Sequence, residues 1–488
     1  MGNIKSQLCR GFVKSLLMSA ASWSIATSGA YAGTDSIKEI AAPKVEAKAD
    51  DIKKSDDFQK PDWLKEVSIT FKEGYDSNIY MADFGSLANK DSWVTTVIPK
   101  VGIDFAPLIE QDSGEKSVET FRLTYSPEIS IYHGAESEDN TAHKIASLLK
   151  GRVGDFSYGV DNGFTYVDGR KQSLDSLYNG ASASADISPY SSGSFRERRD
   201  QFQDKFKSYL RYDVSDEYFV RTVTTGQWYD LHVEPRTDPG YVNFPDRYDA
   251  NAGVDLGYKM NPLTGLTSIE GLSHDYALTL GFRYGHTQQQ MIYTPVGVGS
   301  LVQYKSDYQR VLAGIEGSPF KWLRIDFQVG PDFRNYGRGF PTINGASSAT
   351  TSSGFYAANN TSFYAEGSAT VNLTSVDSLV FMGKQWQWVA STGQGVYEDK
   401  SYDFSYRRKI TPDLTGTAGY RYNGGEYFAP SSRDDNLYTF YGGLAYKIDE
   451  NWSTTLDYSF GRGISDDSVA RARESDRHFV VCGVKWSL

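Results

Sequence analysis

The chain has 488 residues, 39% of them hydrophobic and 14% aromatic, and a formal net charge of −11. That acidic balance argues against nucleic acid as a partner. With only two cysteines, Cys9 and Cys482, a disulfide scaffold is excluded.

Lys5, Arg10 and Lys14 precede the apolar stretch "LLMSAASWSIA", which ends near Ala30-Tyr31-Ala32. A basic region, a short apolar core and a small-x-small end make a secretory signal, cleaved after Ala32. Its removal takes three basic groups and no acid, so the net charge goes from −11 to −14. Cys9 lies before the apolar core, where it cannot serve as a lipoprotein anchor. Only Cys482 then remains, and it can form no intramolecular disulfide. Residues 33–65 are rich in Lys, Asp, Glu and Ala. Such a segment cannot bury enough apolar surface to fold alone and reads as a flexible periplasmic linker. A short helix touching a periplasmic partner is the alternative.

Residues 66–488 read as one all-β unit. In "YALTLGFRYG", residues 276–285, Tyr276, Leu278, Leu280, Phe282 and Tyr284 alternate with Ala277, Thr279, Gly281, Arg283 and Gly285. Period two marks a strand whose faces meet different environments. A soluble sandwich would bury the oily face, whereas an outer-membrane barrel would turn it to lipid and keep the polar face in a wet lumen. The pattern returns about 18 times, over about 10–15 residues each, the length a tilted membrane strand needs. The segments start near residues 67, 93, 118, 141, 156, 201, 218, 248, 275, 303, 321, 360, 378, 397, 413, 436, 452 and 476. The fourth, seventh and tenth are weakly patterned, which leaves 16 strands as the alternative count. No run of about 18 apolar residues offers a membrane helix instead.

The connections decide between sandwich and barrel. Tight ones, "VSDE" at 214–217, "TSVD" at 374–377 and "KIDEN" at 447–451 among them, alternate with long ones at 168–199, 232–247, 335–358 and 464–475. Short periplasmic turns opposite long outer loops are a barrel property. The connections near 106–117 and 261–274 are longer than that rule favours. Trp93, Trp228, Trp322, Trp386, Trp388, Trp452 and Trp486 fall at or near strand ends, where indoles settle at a membrane interface. The last strand, "RHFVVCGVKWSL", places Val480, Cys482, Val484, Trp486 and Leu488 on one lipid-facing side. Pro99, Pro127 and Pro331 fall inside strands, and each requires a bulge or a displaced strand end there.

The stretches "EGYDSNIYMAD" (73–83), "VIPKVGIDF" (97–105) and "FRLTYSPEISIY" (121–132) resemble the putative β-barrel porin 2 family, over roughly 67–133. Members of that family often accompany bacterial exopolysaccharide clusters. The resemblance implies an outer-membrane channel or export pore, and it brings no catalytic residues.

Metal and cofactor chemistry leave no trace. The six histidines, at 133, 143, 232, 274, 286 and 478, form no pair at ligand spacing, and Cys-x-x-Cys is absent. His274 and His286 read as interfacial side chains at opposite ends of one strand. "VGVGS" at 296–300 lacks the strand–glycine–helix context of a phosphate cradle. Asp434, Asp435, Asp466, Asp467 and Ser468 could furnish pieces of a barrel enzyme's site, yet no base is paired with a nucleophile.

A ring of 16–18 strands leaves an aqueous channel. Its inward positions carry Lys100, Arg122, Arg211, Arg283, Arg324, Arg334, Arg407, Arg421 and Lys485 beside Glu128, Asp255, Asp326, Asp332, Glu366, Asp403 and Asp457. Near balance of the two signs predicts weak ion selectivity. The longest loop ends in "FRERRD", so Arg196, Arg198 and Arg199 form the candidate pore constriction, a basic patch that would attract anions. The expected partners are outer-membrane lipids and small hydrophilic solutes or a polysaccharide, with the barrel a monomer or homotrimer. The expected function is passive passage of small hydrophilic solutes without catalysis. An exopolysaccharide export pore, a non-conducting adhesive or structural barrel, and a barrel enzyme are the alternatives.

Overall fold

The computed structural model describes residues 60–80, 83, 88–109, 117–169, 201–230, 247–260, 272–293, 300–336, 360–389, 396–427, 433–466 and 474–488. The expected signal peptide, residues 33–59 and the candidate constriction Arg196, Arg198 and Arg199 lie outside them.

Strands dominate these residues. They are β1 (Leu64–Asp76), β2 (Ser92–Asp104), β3 (Val118–Tyr125), β4 (Glu128–Tyr132), β5 (Asn140–Val153) and β6 (Phe156–Gly169). Next come β7 (Gln201–Asp213), β8 (Tyr218–Asp230), β9 (Arg247–Lys259), β10 (Leu272–Tyr293), β11 (Ser300–Phe320) and β12 (Leu323–Tyr336). The series ends with β13 (Asn360–Asn372), β14 (Asp377–Val389), β15 (Val396–Lys409), β16 (Leu414–Tyr427), β17 (Arg433–Lys447), β18 (Trp452–Ser465) and β19 (Ser475–Ser487). Neighbours in sequence pair antiparallel, and β1 pairs with β19 from Ser68↔Ser487 to Asp76↔Phe479. The sheet is therefore a closed barrel without a free edge.

β3 and β4 are two halves of one barrel strand, which makes the ring 18-stranded. β2 pairs with both halves in one register, Val97↔Ile129 and Val101↔Tyr125, so Pro99 stands opposite Pro127. Two residues without an amide donor therefore share one gap in the ladder. Pro331 behaves similarly. The β11–β12 ladder skips from Arg310↔Asp332 to Ala313↔Val329, whereas the β12–β13 ladder runs through Pro331↔Phe363 unbroken.

The ends of the barrel differ as the loop lengths predict. Connections 154–155, 214–217, 321–322, 373–376, 410–413 and 448–451 lie at one end, together with the start of β1 and Leu488. The longer segments 133–139, 170–200, 231–246, 337–359 and 466–474 leave the other. The two exceptions, 105–117 and 260–271, are at the short-turn end.

Alternation of faces follows the sequence. Leu278, Leu280, Phe282 and Tyr284 are 45–57% exposed, whereas Arg283 between them is 5% exposed. Phe71, Phe121, Val254, Phe333, Phe363, Phe404, Phe440, Leu456 and Val480 continue the exposed apolar set around the ring. A closed ring with charge buried inside and oil exposed outside inverts the soluble pattern.

Aromatic pairs mark both ends of the outer surface. Trp93 packs on Tyr75 at 5.5 Å, and Trp228 stands opposite Tyr248, both toward the long connections. At the short-turn end Trp322 stacks on Phe320 at 5.1 Å, and Trp452 stands opposite Trp486. Trp386 departs from the expected girdle. Phe381 is exposed outside, so the parity of β14 turns Trp386 inward, where it is buried with Leu312, Tyr364 and Tyr397. The Lys384 ammonium sits 4.4 Å from its ring centroid. The Trp388 side chain lies outside the described residues. His286 is inside the long strand β10, not at its end, and its Nδ1 lies 2.7 Å from Asp307 on the outer face.

Candidate functional site

The inner wall is where charge collects. Each strand delivers a side chain to it every second residue, and inter-strand register decides which cation meets which carboxylate. Arg221 of β8 is opposite Asp255 of β9, and its Nε donates to that carboxylate at 2.9 Å. Arg283 of β10 donates to the other oxygen at 2.6 Å, and Arg221 also reaches Glu316. Asp326 is opposite Glu316 on the same wall. At position 281 a β-carbon would collide with the Asp255 carboxylate, so Gly281 leaves the room this pair occupies.

A second cluster lies nearer the long connections. Asp332 accepts from Arg310 Nε at 2.9 Å and from Arg334 Nη2 at 3.1 Å. The Arg310 guanidinium is 4.2 Å and 4.0 Å from the ring centroids of Tyr308 and Tyr364. Tyr308 donates to Asp249 at 3.1 Å, and Tyr364 donates to Glu366. Tyr308 lies flat over Gly285, its direct neighbour across β10 and β11, where any β-carbon would strike the ring. Further round the ring, Asp403 accepts from Arg421 Nε and from the Tyr441 hydroxyl, each at 2.8 Å. Arg221, Asp249, Asp255, Arg283, Arg310, Asp332, Arg334, Asp403 and Arg421 are nearly or fully buried, whereas Glu316, Asp326 and Glu366 are partly exposed. Buried charge is costly unless it is paired.

The short-turn half of the wall is different. Asp213 is shared by Arg211 at 2.8 Å, Lys259 at 3.1 Å and Arg152 at 3.7 Å. Glu66 is shared by Lys100 at 2.7 Å and Lys485 at 3.2 Å. Arg122 and Arg407 are exposed on this face and form no ion pair among the described residues. Arg122 is opposite Asp104, but Asp104 Oδ1 already accepts from the Ala106 and Phe121 amides at 3.1 Å each. Arg324 is also exposed inside, and Asp457 is opposite Gly443 and Val481. Higher on the wall Lys144 meets Glu128 at 2.8 Å. Cations thus outnumber their carboxylate partners toward the short turns.

Sequence reasoning missed Arg221, Arg310 and Glu316. Arg221 and Arg310 sit on the seventh and tenth segments, whose alternation is weak because Phe219, Val223 and Leu312 also point inward and are buried.

Asp76, Ser77 and Asn78, within the stretch 73–83, have a physical role. Arg477 Nε donates to Asp76 Oδ1 at 2.9 Å, and its Nη2 binds Asp76 Oδ2. The His478 amide donates to Ser77 Oγ at 2.8 Å, and Asn78 Nδ2 donates to the Asp476 carbonyl at 3.1 Å. Three consecutive residues at the end of β1 therefore clasp the start of β19, where the ring closes.

The acidic residues considered for catalysis are tied into structure. Asp435 accepts from Ser465 Oγ at 2.6 Å, and Asp466 Oδ1 accepts from the Asp434 amide at 2.7 Å. Asp467 and Ser468 lie outside the described residues. No cluster of metal-ligating side chains occurs among the described residues.

No family model matches the chain, and no curated protein matches it. Among solved structures it is similar to Pseudomonas aeruginosa OccK2 (OpdF) in complex with glucuronate. That likeness has 12% identity, 87% of this chain and 98% of that one covered, and a TM-score of 0.38. Pseudomonas aeruginosa OpdK with vanillate gives 11%, the same coverages and 0.39. The open form of the ferric-catecholate import receptor Fiu from E. coli K12 gives 11%, 86% and 81%, and 0.40. Similarity at that level says nothing of solute or mechanism for this chain.

Proposed function

We propose that this chain is a bacterial outer-membrane channel that passes small hydrophilic solutes by diffusion, without catalysis. The observation that carries the reading is the inverted wall. A closed 18-stranded ring exposes apolar side chains outside, between two aromatic belts, and holds ion-paired charge inside. A ring of that size is too wide for wall side chains alone to fill. Export through residues 1–32, a periplasmic role for residues 33–65 and narrowing by Arg196, Arg198 and Arg199 belong to the same reading.

Electrostatics refine it. Buried pairs such as Arg421–Asp403 cancel locally, so the exposed short-turn half sets the field a solute meets. Arg122, Arg407 and the shared carboxylates Asp213 and Glu66 leave that half positive, and a modest preference for anions follows. Reversal potential across a salt gradient tests it.

Exopolysaccharide export is the second reading, favoured by the family resemblance over 67–133. Swelling of proteoliposomes in neutral oligosaccharides of graded length separates the two, since a diffusion channel excludes the longer ones.

A further inference from the structure

The outer surface is not uniformly convex. Across β15 to β18 the outward positions read Arg408, Gly416, Leu444 and Leu456 in one row, and Tyr406, Ala418, Gly442 and Tyr458 in the next. Two glycines and an alanine at these outward positions leave a recess of about 490 Å³. Its floor and sides are almost wholly apolar. One cation, Arg408, stands at its short-turn edge, with a side chain 56% exposed. Arg408 is held from one side only. Its Nη1 lies 3.4 Å from Asp377 and 3.5 Å from the Tyr406 hydroxyl, which itself donates to Asp377 at 2.5 Å. The Nε and Nη2 of Arg408 carry no partner among the described residues, so their donors remain available.

We propose that this recess seats one acyl chain of a glycerophospholipid, whose phosphate Arg408 binds. The inference rests on the barrel being embedded in a bilayer. An apolar trough ending at a cation with free donors matches a molecule that carries an apolar chain and an anion at one end. Guanidinium–phosphate hydrogen bonds are charge-assisted and match in geometry. The level also fits: Trp452, at the start of β18, belongs to the short-turn aromatic belt, where headgroups lie. A second copy of the chain is the less suited occupant, because Tyr406 and Tyr458 rise at either side of the recess.

The floor can be filled without disturbing the strands. A β-carbon at Gly442 would come no closer than 3.4 Å to the Thr417 carbonyl, and one at Gly416 would meet the side-chain ends of Ile410 at 3.2 Å and Leu444 at 3.6 Å. The test compares the full-length chain with Arg408→Gln and with Gly416→Leu/Gly442→Leu. Each is purified folded from membranes, delipidated and titrated with phosphatidylglycerol, with native mass spectrometry as the readout. We expect one tightly held phospholipid per chain, about tenfold weaker retention for Arg408→Gln, and loss of the bound lipid when the floor is filled. Equal retention by all three proteins, or a dimer that the leucine variant abolishes, would overturn the proposal. Insertion into vesicles is measured on the same samples. Protein that inserts but retains no lipid overturns the recess alone; protein that does not insert overturns the membrane reading beneath it.

Discussion

Asp76 and Arg477, 401 positions apart in the chain, form a buried ion pair at the seam where the first strand meets the last. Closure is the least local event in this fold, since each other pair of adjacent strands is joined by a single connection or break. A charge pair that neither partner can satisfy alone also specifies register. Slipping β19 by one residue would turn Arg477 to the outer face. Asp76→Asn should therefore destabilise the barrel by about 3–5 kcal/mol, as breaking a buried pair does. The exposed pair Arg462–Asp476, at 3.8 Å, gives the contrast, and Arg462→Gln should cost less than about 1 kcal/mol. Urea unfolding in detergent micelles, followed by tryptophan fluorescence, checks both.

Asp332 holds two guanidinium groups. Its neutralisation in Asp332→Asn would leave Arg310 and Arg334 facing each other in a buried wall. A loss of about 3–5 kcal/mol is expected. Addition of Arg310→Met should recover part of it, because one of the two opposed charges is then gone. Failure of the second substitution to restore any stability would show that the pair's charge is not what matters.

The contact of Tyr308 with Gly285 makes a separate claim. Gly285→Val puts side-chain atoms where the ring lies and should destabilise by at least about 1–3 kcal/mol, the usual range for overpacking. Tyr308→Phe keeps the ring over the glycine and loses the hydroxyl's bonds to Asp249 and Asn251, at 3.1 Å each. It should cost about 1 kcal/mol per unsatisfied partner. Comparing unfolding midpoints of the two variants and the double variant shows whether the valine acts through the ring.

Selectivity should respond to the short-turn half. Arg122→Glu/Arg407→Glu reverses two exposed charges that have no partner to unbalance. The zero-current potential should move toward cations, and the shift should shrink at high salt, since charges screen within about 10 Å at 0.1 M. An Arg421→Gln control sits in a buried pair and should change stability more than selectivity.

Much of this architecture was legible in the sequence because the physical signal is periodic. Every segment start read from alternation lies within three residues of a strand start, and the loop lengths sort the two ends of the ring. The sequence asks for a bulge or a displaced strand end at each of Pro99, Pro127 and Pro331, but only register reveals that Pro99 and Pro127 share one gap. Trp386 lies near a strand end, where a girdle tryptophan is expected, but nearness to an end does not say which face the ring takes. The corrective signal is parity: Phe381, an odd number of residues away, already occupies the outside. Which cation meets which carboxylate was not legible. Arg221 with Asp255, and Arg477 with Asp76, depend on pairing between strands, and a single strand's pattern contains no information about its neighbour's register.

The central claim is an open, wet passage through the ring, and single-channel recording of the refolded chain in planar bilayers tests it most directly. Steady ohmic openings, with a reversal potential displaced modestly toward anions in a salt gradient, are the result expected. Electrical silence from protein shown to be folded and inserted would contradict it, and the ring would then be a closed or purely structural barrel.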